Sequence, residues 1–558
     1  MRHIFIVFLQ ALGVALFLQA CGGDGNVFEP KEKVLIDTVT AIVTPIASEN
    51  QAGAFLASAT FGVQKEDITE LQSMGNYEAW ITNQASLVPT YLLDNLTDRL
   101  YVKENWSEAD KDSGSPAVFS ARRAAWLDNS VNAKDQLRQR VAFALSELMV
   151  LSDLGPLTGN YDDGIASYYD VLVRNSLGNF RTLLDEVTKH PMMGLFLGIT
   201  GNAKADPTKG NHADENYARE VMQLFTIGLD NLNIDGSSKG TPTYAQSDIE
   251  NLAKVFTGWS ANRKIFSNIP TSHQDRIHTM TIYEEHHDKN SKIVLGHSIP
   301  AGLFAQEDMQ QALDIIFNHP NVGPFVSKHL ILRLVTSNPS PQYIQRVATV
   351  FNDNGKGVRG DLLAVVKAIL LDDEALKGRT LYPNSFGKLR EPILRIPQLL
   401  RTFHATGDAI VVGGKTYQDY GYVRSSQLRQ EAALNSTTVF NYFSPIFKPQ
   451  GTNLVAPEFQ ILSELDLAAQ NDFMIKIARE NGSPTNVSLN YTTEVGLVPN
   501  PTQLVKRLDL LLMAGAMSKT MKDTLVNYIQ VNTTVAPDIL VKDCVSLIIT
   551  SAEYAIQR

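Results

Sequence analysis

The stretch HADENYARE, residues 212–220, gathers side chains that could transfer protons or bind a metal. When a helix starting here is projected at 100° per residue, Glu220 falls between Leu224 and Ile227, inside the apolar arc. A carboxylate that faces a core must be paired, hydrogen-bonded or protonated, because an isolated buried charge is too costly. Glu220 is therefore a candidate general acid, general base or metal ligand.

A structural role for Glu220 is the alternative. In that case an arginine from another helix would hold the carboxylate, with Arg140 and Arg390 as candidates. The neighbouring charges need no function, because Glu215 and Arg219 form an i,i+4 pair in the favourable order. The candidate catalytic set is Glu220, Glu215 and Arg219.

Histidines supply a second candidate site. His286, His287 and Asp288 are consecutive in a polar stretch, and His212 precedes the charged helix. Imidazole and carboxylate ligands together suit zinc, iron or manganese, so a divalent metal is the candidate cofactor. A capping or solvated turn is the alternative for the same residues. The sequence contains no HExxH motif and no cysteine set for a structural zinc.

The sequence on both sides of these candidate residues has the periodicity of amphipathic helices. The stretch DQLRQRVAFALSELMVLSD places Leu137, Val141, Leu145 and Leu148 on one helical face. The stretch TYAQSDIENLAKVFTGW predicts another helix, with capping-box patterns at its start. Two β-leaning runs around a polar turn predict a small hairpin at about 276–296.

The fold predicted from these patterns is mostly α and multi-helical, with two lobes. The 558 residues exceed what one hydrophobic core usually holds. The expected divisions are a signal peptide at 1–20, a lipidated tether at 21–48, a helical lobe at 49–260, the hairpin segment at 262–300 and a helical lobe at 305–558.

The first residues have the layout of an export signal. An apolar run from Ile4 to Leu18 is too short for a comfortable membrane span and ends at Cys21 in a lipobox-like sequence. Acyl chains on Cys21 would hold the protein on a bilayer. Because Gly22 is not aspartate, an outer-membrane location in the cell envelope is favoured. The alternative is an ordinary signal peptide with a chance cysteine.

Several stretches together resemble the bacterial family known as domain of unknown function 1800. They are FLASATFG, DQLRQRVAFALSELMVLS, DENYAREVMQLFTIGL, TYAQSDIENLAKVFTGW, HHDKNSKIVLG and KLREPILR. The resemblance runs from about residue 50 to the C-terminal ITSAEYAIQR. It implies an exported protein and, through frequent gene neighbours, an exported sulfatase-like partner. It implies no particular activity.

Two functions follow as alternatives. One is a lipid-anchored metal-assisted hydrolase whose site joins the 212–220 and 286–288 segments. The other is a non-catalytic scaffold that binds a sulfatase-like protein and offers an exposed apolar patch. The net charge of -10, from 49 basic and 59 acidic residues, argues against a nucleic-acid partner.

Overall fold

The helices of this computed structural model begin and end at residues that cap them. The Ser48 side chain accepts a hydrogen bond from the backbone N–H of Gln51 at the start of the first helix. Prolines occupy the first turn of several later helices, where the missing N–H costs nothing. Gly198 ends another helix in the left-handed conformation.

The structure describes residues 46, 48–103, 106–107, 110, 116–155, 157–208, 210–423, 428, 431–479 and 487–558. The predicted signal peptide, Cys21 and nearly all of the tether lie outside the described residues.

The α-helices, numbered along the chain, are α1 (Glu49–Ala59), α2 (Lys65–Ser73), α3 (Tyr77–Ser86), α4 (Leu92–Lys103), α5 (Pro116–Asn132), α6 (Gln136–Ser146), α7 (Asp162–Asn175), α8 (Phe180–Lys189), α9 (Pro191–Leu197), α10 (Asn216–Glu220), α11 (Gln246–Val255), α12 (His273–Ile277), α13 (Ala305–Asn318), α14 (Val322–Leu334), α15 (Pro341–Asn352), α16 (Leu362–Leu370), α17 (Asp373–Leu381), α18 (Pro392–Thr402), α19 (Glu464–Arg479), α20 (Thr492–Leu497), α21 (Pro501–Met513), α22 (Lys519–Val531), α23 (Pro537–Ile549) and α24 (Ala552–Ala555). Among the described residues, 3-10 helices cover Thr158–Asn160, Glu284–His286 and Pro457–Ile461.

The strands are short and form antiparallel pairs. They are β1 (Asp230–Leu232), β2 (Ser238–Pro242), β3 (Trp259–Ser260), β4 (Thr281–Ile282), β5 (Lys292–Val294), β6 (His297–Ile299), β7 (Lys388–Leu389), β8 (Asp408–Val412), β9 (Lys415–Asp419) and β10 (Ile556–Gln557). The pairs are β1 with β2, β3 with β4, β5 with β6, β7 with β10, and β8 with β9. The predicted mostly α class is confirmed.

The hairpin predicted at 276–296 takes a different form. Its first run contributes β4, which pairs back to β3, with Trp259 opposite Ile282. Its second run contributes β5, which pairs forward with β6. The two runs do not pair with each other, because a 3-10 helix at Glu284–His286 separates them. The sequence pattern identified extended backbone correctly but not its partners.

One hydrophobic cluster forms the core. It includes buried residues from Ala52 to Tyr554 and therefore takes members from both predicted lobes. Residues 43–558 form one compact unit. No described helix is both long enough and apolar enough to span a bilayer.

Candidate functional site

A group of buried carboxylates lies where α6, α18 and an irregular segment meet. Glu147 directly follows α6, and Glu391 directly precedes Pro392 at the start of α18. Glu431 lies in a stretch of turns and irregular backbone, and Glu458 lies in the 3-10 helix that follows. All four side chains are at most 5% exposed. We call Glu147, Glu391, Glu431 and Glu458 the carboxylate centre.

Local structure explains two of these positions. Glu391 is the residue before the proline that starts α18, and a negative charge there suits the positive end of the helix dipole. Glu431 Oε2 accepts a hydrogen bond from the backbone N–H of Ile393 at 2.9 Å. That N–H is one of the first-turn donors that have no partner within a helix. Glu391 and Glu431 therefore both lie at the N-terminus of α18.

Three of the carboxylates approach closely enough to share a ligand. One oxygen from each of Glu147, Glu391 and Glu431 lies within 4.8 Å of the others. Among the described residues, this is the one group of three or more potential metal ligands with such spacing.

Three cations surround these acids. Lys388 Nζ lies 2.7 Å from Glu391 Oε1 and 3.3 Å from Glu458 Oε1. Arg333 Nε lies 3.7 Å from Glu147 Oε2. Arg140 is fully buried, and its Nη2 donates to the Arg333 carbonyl oxygen at 2.7 Å.

The four carboxyl groups outnumber these three cations, and burial is the largest influence on their pKa values. Burial raises the pKa of Glu147 to about 8, although Arg333 opposes the shift. Burial and the charge of Glu391 raise the pKa of Glu431 well above its usual range. Burial would also raise the pKa of Glu391, but Lys388 and Arg333 lower it below its usual range. The centre therefore pairs one ionised acid with neighbours that resist ionisation.

Several oxygens of the centre have no hydrogen-bond donor among the described residues. They are both side-chain oxygens of Glu147, Oε2 of Glu391, Oε1 of Glu431 and Oε2 of Glu458. Glu147 and Glu391 are nevertheless close enough to hydrogen-bond if one of them is protonated. Carboxylate oxygens at such spacing repel unless a proton or a cation lies between them. The arrangement can thus hold a shared proton or bind a cation.

The ligand chemistry favours hard cations. All three grouped ligands are carboxylate oxygens, with no histidine or cysteine among them. Oxygen-only sets suit Mg²⁺, Ca²⁺ and Mn²⁺, whereas zinc sites usually include nitrogen or sulfur ligands.

Glu220, the central residue of the sequence hypothesis, faces inward in the structure. It is 6% exposed, and its Oε2 has no hydrogen-bond partner among the described residues. Burial raises its pKa, and Arg219 partly opposes that shift. Arg140 and Arg390, the proposed clamps, contact backbone carbonyls at Arg333 and Tyr554 instead.

The chain directly after Glu220 is unusual. Residues Val221–Thr226 form a π-helix, in which the Thr226 hydroxyl donates to the Val221 carbonyl oxygen. Such segments are rare and are frequent at functional sites. Glu215 pairs with Arg219 at 3.1 Å, as the spacing predicted. A catalytic role for Glu220, Glu215 and Arg219 stays a prediction.

The four predicted metal ligands have separate surroundings. His212 is exposed. The His286 ring stacks on Phe266 at a centroid distance of 3.8 Å. Asp288 Oδ1 accepts a hydrogen bond from the Asn290 backbone N–H at 2.8 Å. None of the four belongs to a group of three potential ligands in the described part of the chain.

His287 instead joins a buried network. Its Nδ1 lies 3.0 Å from the Thr257 carbonyl oxygen, and its Nε2 lies 3.1 Å from Asp308 Oδ2. Lys292 also donates to Asp308 Oδ2, and it donates to the Asp288 carbonyl oxygen at 2.5 Å. This network fastens the loop after β4 to α13, so the contacts of His287 are those of a structural residue. A metal at these positions remains a prediction without a ligand set.

A family model described as "Protein of unknown function (DUF1800)" matches residues 54–556. The chain belongs to the DUF1800 family. No curated protein and no solved structure matches it. The DUF1800 match includes the carboxylate centre and Glu220, so both candidate sites are part of the family domain.

Sequence reasoning missed the carboxylate centre. Glu147 and Glu391 do occur in ALSEL and KLREP, two of the stretches that resemble the DUF1800 family. No spacing motif joins them, because they come from distant parts of the chain. The available signal was indirect: a glutamate directly before a helix-starting proline, beside Lys388 and Arg390.

Proposed function

We propose that this protein is an exported, lipid-anchored envelope protein that binds one divalent cation at Glu147, Glu391 and Glu431 and uses it to assist hydrolysis of an envelope or extracellular substrate. The observation that carries the proposal is the group of three buried carboxylate oxygens within 4.8 Å of one another.

The convergence of three carboxylates supports a cation over a shared proton. One proton can bridge two oxygens, whereas three carboxylates converge here and several of their oxygens lack a donor. With all four acids ionised, the three cations leave one negative charge uncompensated. A divalent ion changes the net charge of these acids and cations from -1 to +1, and it is bound by the oxygen ligands that Mg²⁺, Ca²⁺ and Mn²⁺ prefer. Arg333 and Lys388 then hold two of the ligands, Glu147 and Glu391, in position.

A bound divalent cation would activate water or polarise a substrate oxygen. The centre is buried, so a substrate must enter through chain that moves. Glu431 lies in the irregular backbone of residues 431–456, and Glu458 lies directly after it. Displacement of this segment would open the centre without disrupting α6 or α18.

Metal analysis of the purified protein tests the proposal. The wild type should retain about one Mg²⁺, Ca²⁺ or Mn²⁺ per chain after dialysis against each ion in turn. Glu431→Gln should lose the ion, because an amide is a poorer ligand than a carboxylate. Glu494→Gln is the matched control, since Glu494 is equally buried and pairs with Arg507 instead. Wild-type protein without stoichiometric metal, or a Glu431→Gln variant that retains it, would contradict the proposal.

Hydrolysis is tested separately with p-nitrophenyl phosphate, sulfate and acetate. Metal-dependent turnover that Glu431→Gln abolishes supports the enzyme. Metal binding without turnover favours a binding protein.

A scaffold for an exported sulfatase-like protein is the second candidate, and one observation favours it. The chain from Phe440 to Leu467 exposes several large apolar side chains, including Phe440, Ile446 and Leu465 at 57%, 69% and 62%. Large apolar side chains exposed together on one surface are typical of binding sites. If this candidate is correct, Ile446→Ser should weaken association with a co-produced sulfatase-like protein, and Val88→Ser, at an exposed site elsewhere, should not.

A further inference from the structure

A cleft of about 600 Å³ lies among α1, α17 and β10. Its walls are partly apolar, with Ala54, Leu376 and Phe386 among the lining residues. It is separate from the carboxylate centre. Ser48, among the first described residues of the chain, lies at its edge.

Three basic side chains line the same cleft. Lys377, Arg379 and Arg558 are all exposed. Lys377 pairs with Asp373 at 2.7 Å, but both side chains are more than half exposed, so this pair holds the lysine only weakly. Arg379 and Arg558 form no ion pair with any described residue. The described residues that line the cleft include no aspartate and no glutamate, in a chain whose net charge is -10.

The rim of the cleft adds exposed apolar groups. Leu381 is 53% exposed and Tyr382 is 43% exposed, at the end of α17. Lysine, arginine and tyrosine beside exposed leucine are the side chains that proteins place at a bilayer surface. Their cations attract anionic headgroups, and their apolar parts enter the headgroup boundary.

We propose that this cleft binds the anionic headgroups of a lipid bilayer, with Arg379 and Arg558 contacting the phosphates and Leu381 and Tyr382 entering the surface. The cleft is separate from the proposed metal centre. The proposed binding of headgroups rests on the proposed function only in one respect: the anchor at Cys21 would bring the protein to a membrane. Ser48, one of the residues that line the cleft, is also among the first residues of the chain that the structure describes.

The test uses the full chain with Cys21→Ser, so that acylation cannot cause binding. Sedimentation with phosphatidylcholine vesicles is compared with sedimentation with vesicles of equal parts phosphatidylglycerol and phosphatidylcholine. Arg379→Gln with Arg558→Gln forms the cleft variant. Lys239→Gln with Lys356→Gln forms the control, since both lysines are exposed outside the cleft and the net charge changes equally.

The unaltered background should bind the anionic vesicles more tightly than the phosphatidylcholine vesicles. The cleft variant should bind the anionic vesicles more weakly by about fivefold for each removed charge, and the control variant should change much less. Equal losses in the two variants would overturn the proposal, because net charge alone would then explain binding. Equal affinity for the two vesicle types would also overturn it. Metal content should be the same in both variants, so failure here is distinguishable from failure of the proposed metal centre.

Discussion

Lys388 Nζ and Glu391 Oε1 lie 2.7 Å apart, and both side chains are completely buried. The pair joins β7 to the start of α18 and also faces Glu458. Burying two charges costs several kcal/mol per ion, and mutual attraction repays that cost only when the remaining hydrogen bonds are made. Oε2 of Glu391 has no such bond among the described residues, which is why we assign it a further ligand.

The Lys388 side chain should contribute to the stability of the fold through this pair. Lys388→Met should lower the free energy of unfolding by about 3–5 kcal/mol, because it leaves buried carboxylates without their nearest cation. Adding Glu391→Gln should recover part of the loss, since the two residues interact directly. Denaturant unfolding of both single variants and the double variant measures this coupling. Additive losses would show that the pair contributes no coupling.

Glu220→Gln should leave the melting temperature unchanged or raise it. The side chain is buried without an arginine partner, so the substitution removes the cost of burying a charge. Glu494→Gln is the comparison, because it breaks a pair with Arg507 at 2.6 Å and should melt lower. Scanning calorimetry measures the melting temperatures of the two variants and of the wild type. A Glu220→Gln variant that melts as low as Glu494→Gln would indicate that Glu220 has a partner the structure does not show.

Asp308→Asn should destabilise the protein by about 3–5 kcal/mol without changing its metal content. The substitution leaves the buried groups of Lys292 and His287 without their carboxylate. Thermal unfolding and metal analysis on the same preparation test both parts. Loss of a stoichiometric metal in Asp308→Asn would instead support a metal beside His287.

Acidification should destabilise the protein partly through His190. Burial lowers the pKa of His190 to about 3, and its Nδ1 accepts a hydrogen bond from the Met192 N–H at 3.2 Å. The unfolded chain takes up this proton below its usual pKa of about 6.5, whereas the folded chain does so only near pH 3. The contribution of neutral His190 to the free energy of unfolding is therefore complete above about pH 6.5 and is lost as the pH falls toward 3.

His190→Asn keeps an acceptor for the Met192 N–H but cannot titrate. Between about pH 6.5 and 4, its free energy of unfolding should fall less steeply than that of the wild type, by up to about 1.4 kcal/mol per pH unit. Unfolding midpoints across this range provide the measurement, and exposed His297→Asn should match the wild-type slope. Parallel slopes for wild type and His190→Asn would refute the assignment.

The periodicity of apolar residues was sufficient to predict helices, but it did not predict which elements pack around them. The predicted face of α6, with Leu137, Val141 and Leu145, is fully buried. The opposite face is buried too, including Arg138 and Arg140, because α6 contacts α1, α3, α5, α7 and α14. Amphipathic spacing predicts one buried face and cannot reveal that neighbours also cover the polar one.

The candidate sites show the same difference between what local sequence predicts and what depends on tertiary packing. The inward direction of Glu220 followed from local helical geometry, and the structure agrees. The carboxylate centre could not be predicted, because Glu147, Glu391 and Glu431 meet only through tertiary packing. His286 and His287 were predicted as metal ligands from their residue type alone, whereas contacts with Thr257 and Asp308 give His287 a structural setting.

Anomalous diffraction from crystals grown with Mn²⁺ tests the central claim most directly. The account predicts an anomalous peak among Glu147, Glu391 and Glu431, at about 2.0–2.6 Å from one oxygen of each, and no such peak in Glu431→Gln crystals. A peak at the 286–288 turn instead, or none at the carboxylate centre at saturating Mn²⁺, would contradict it.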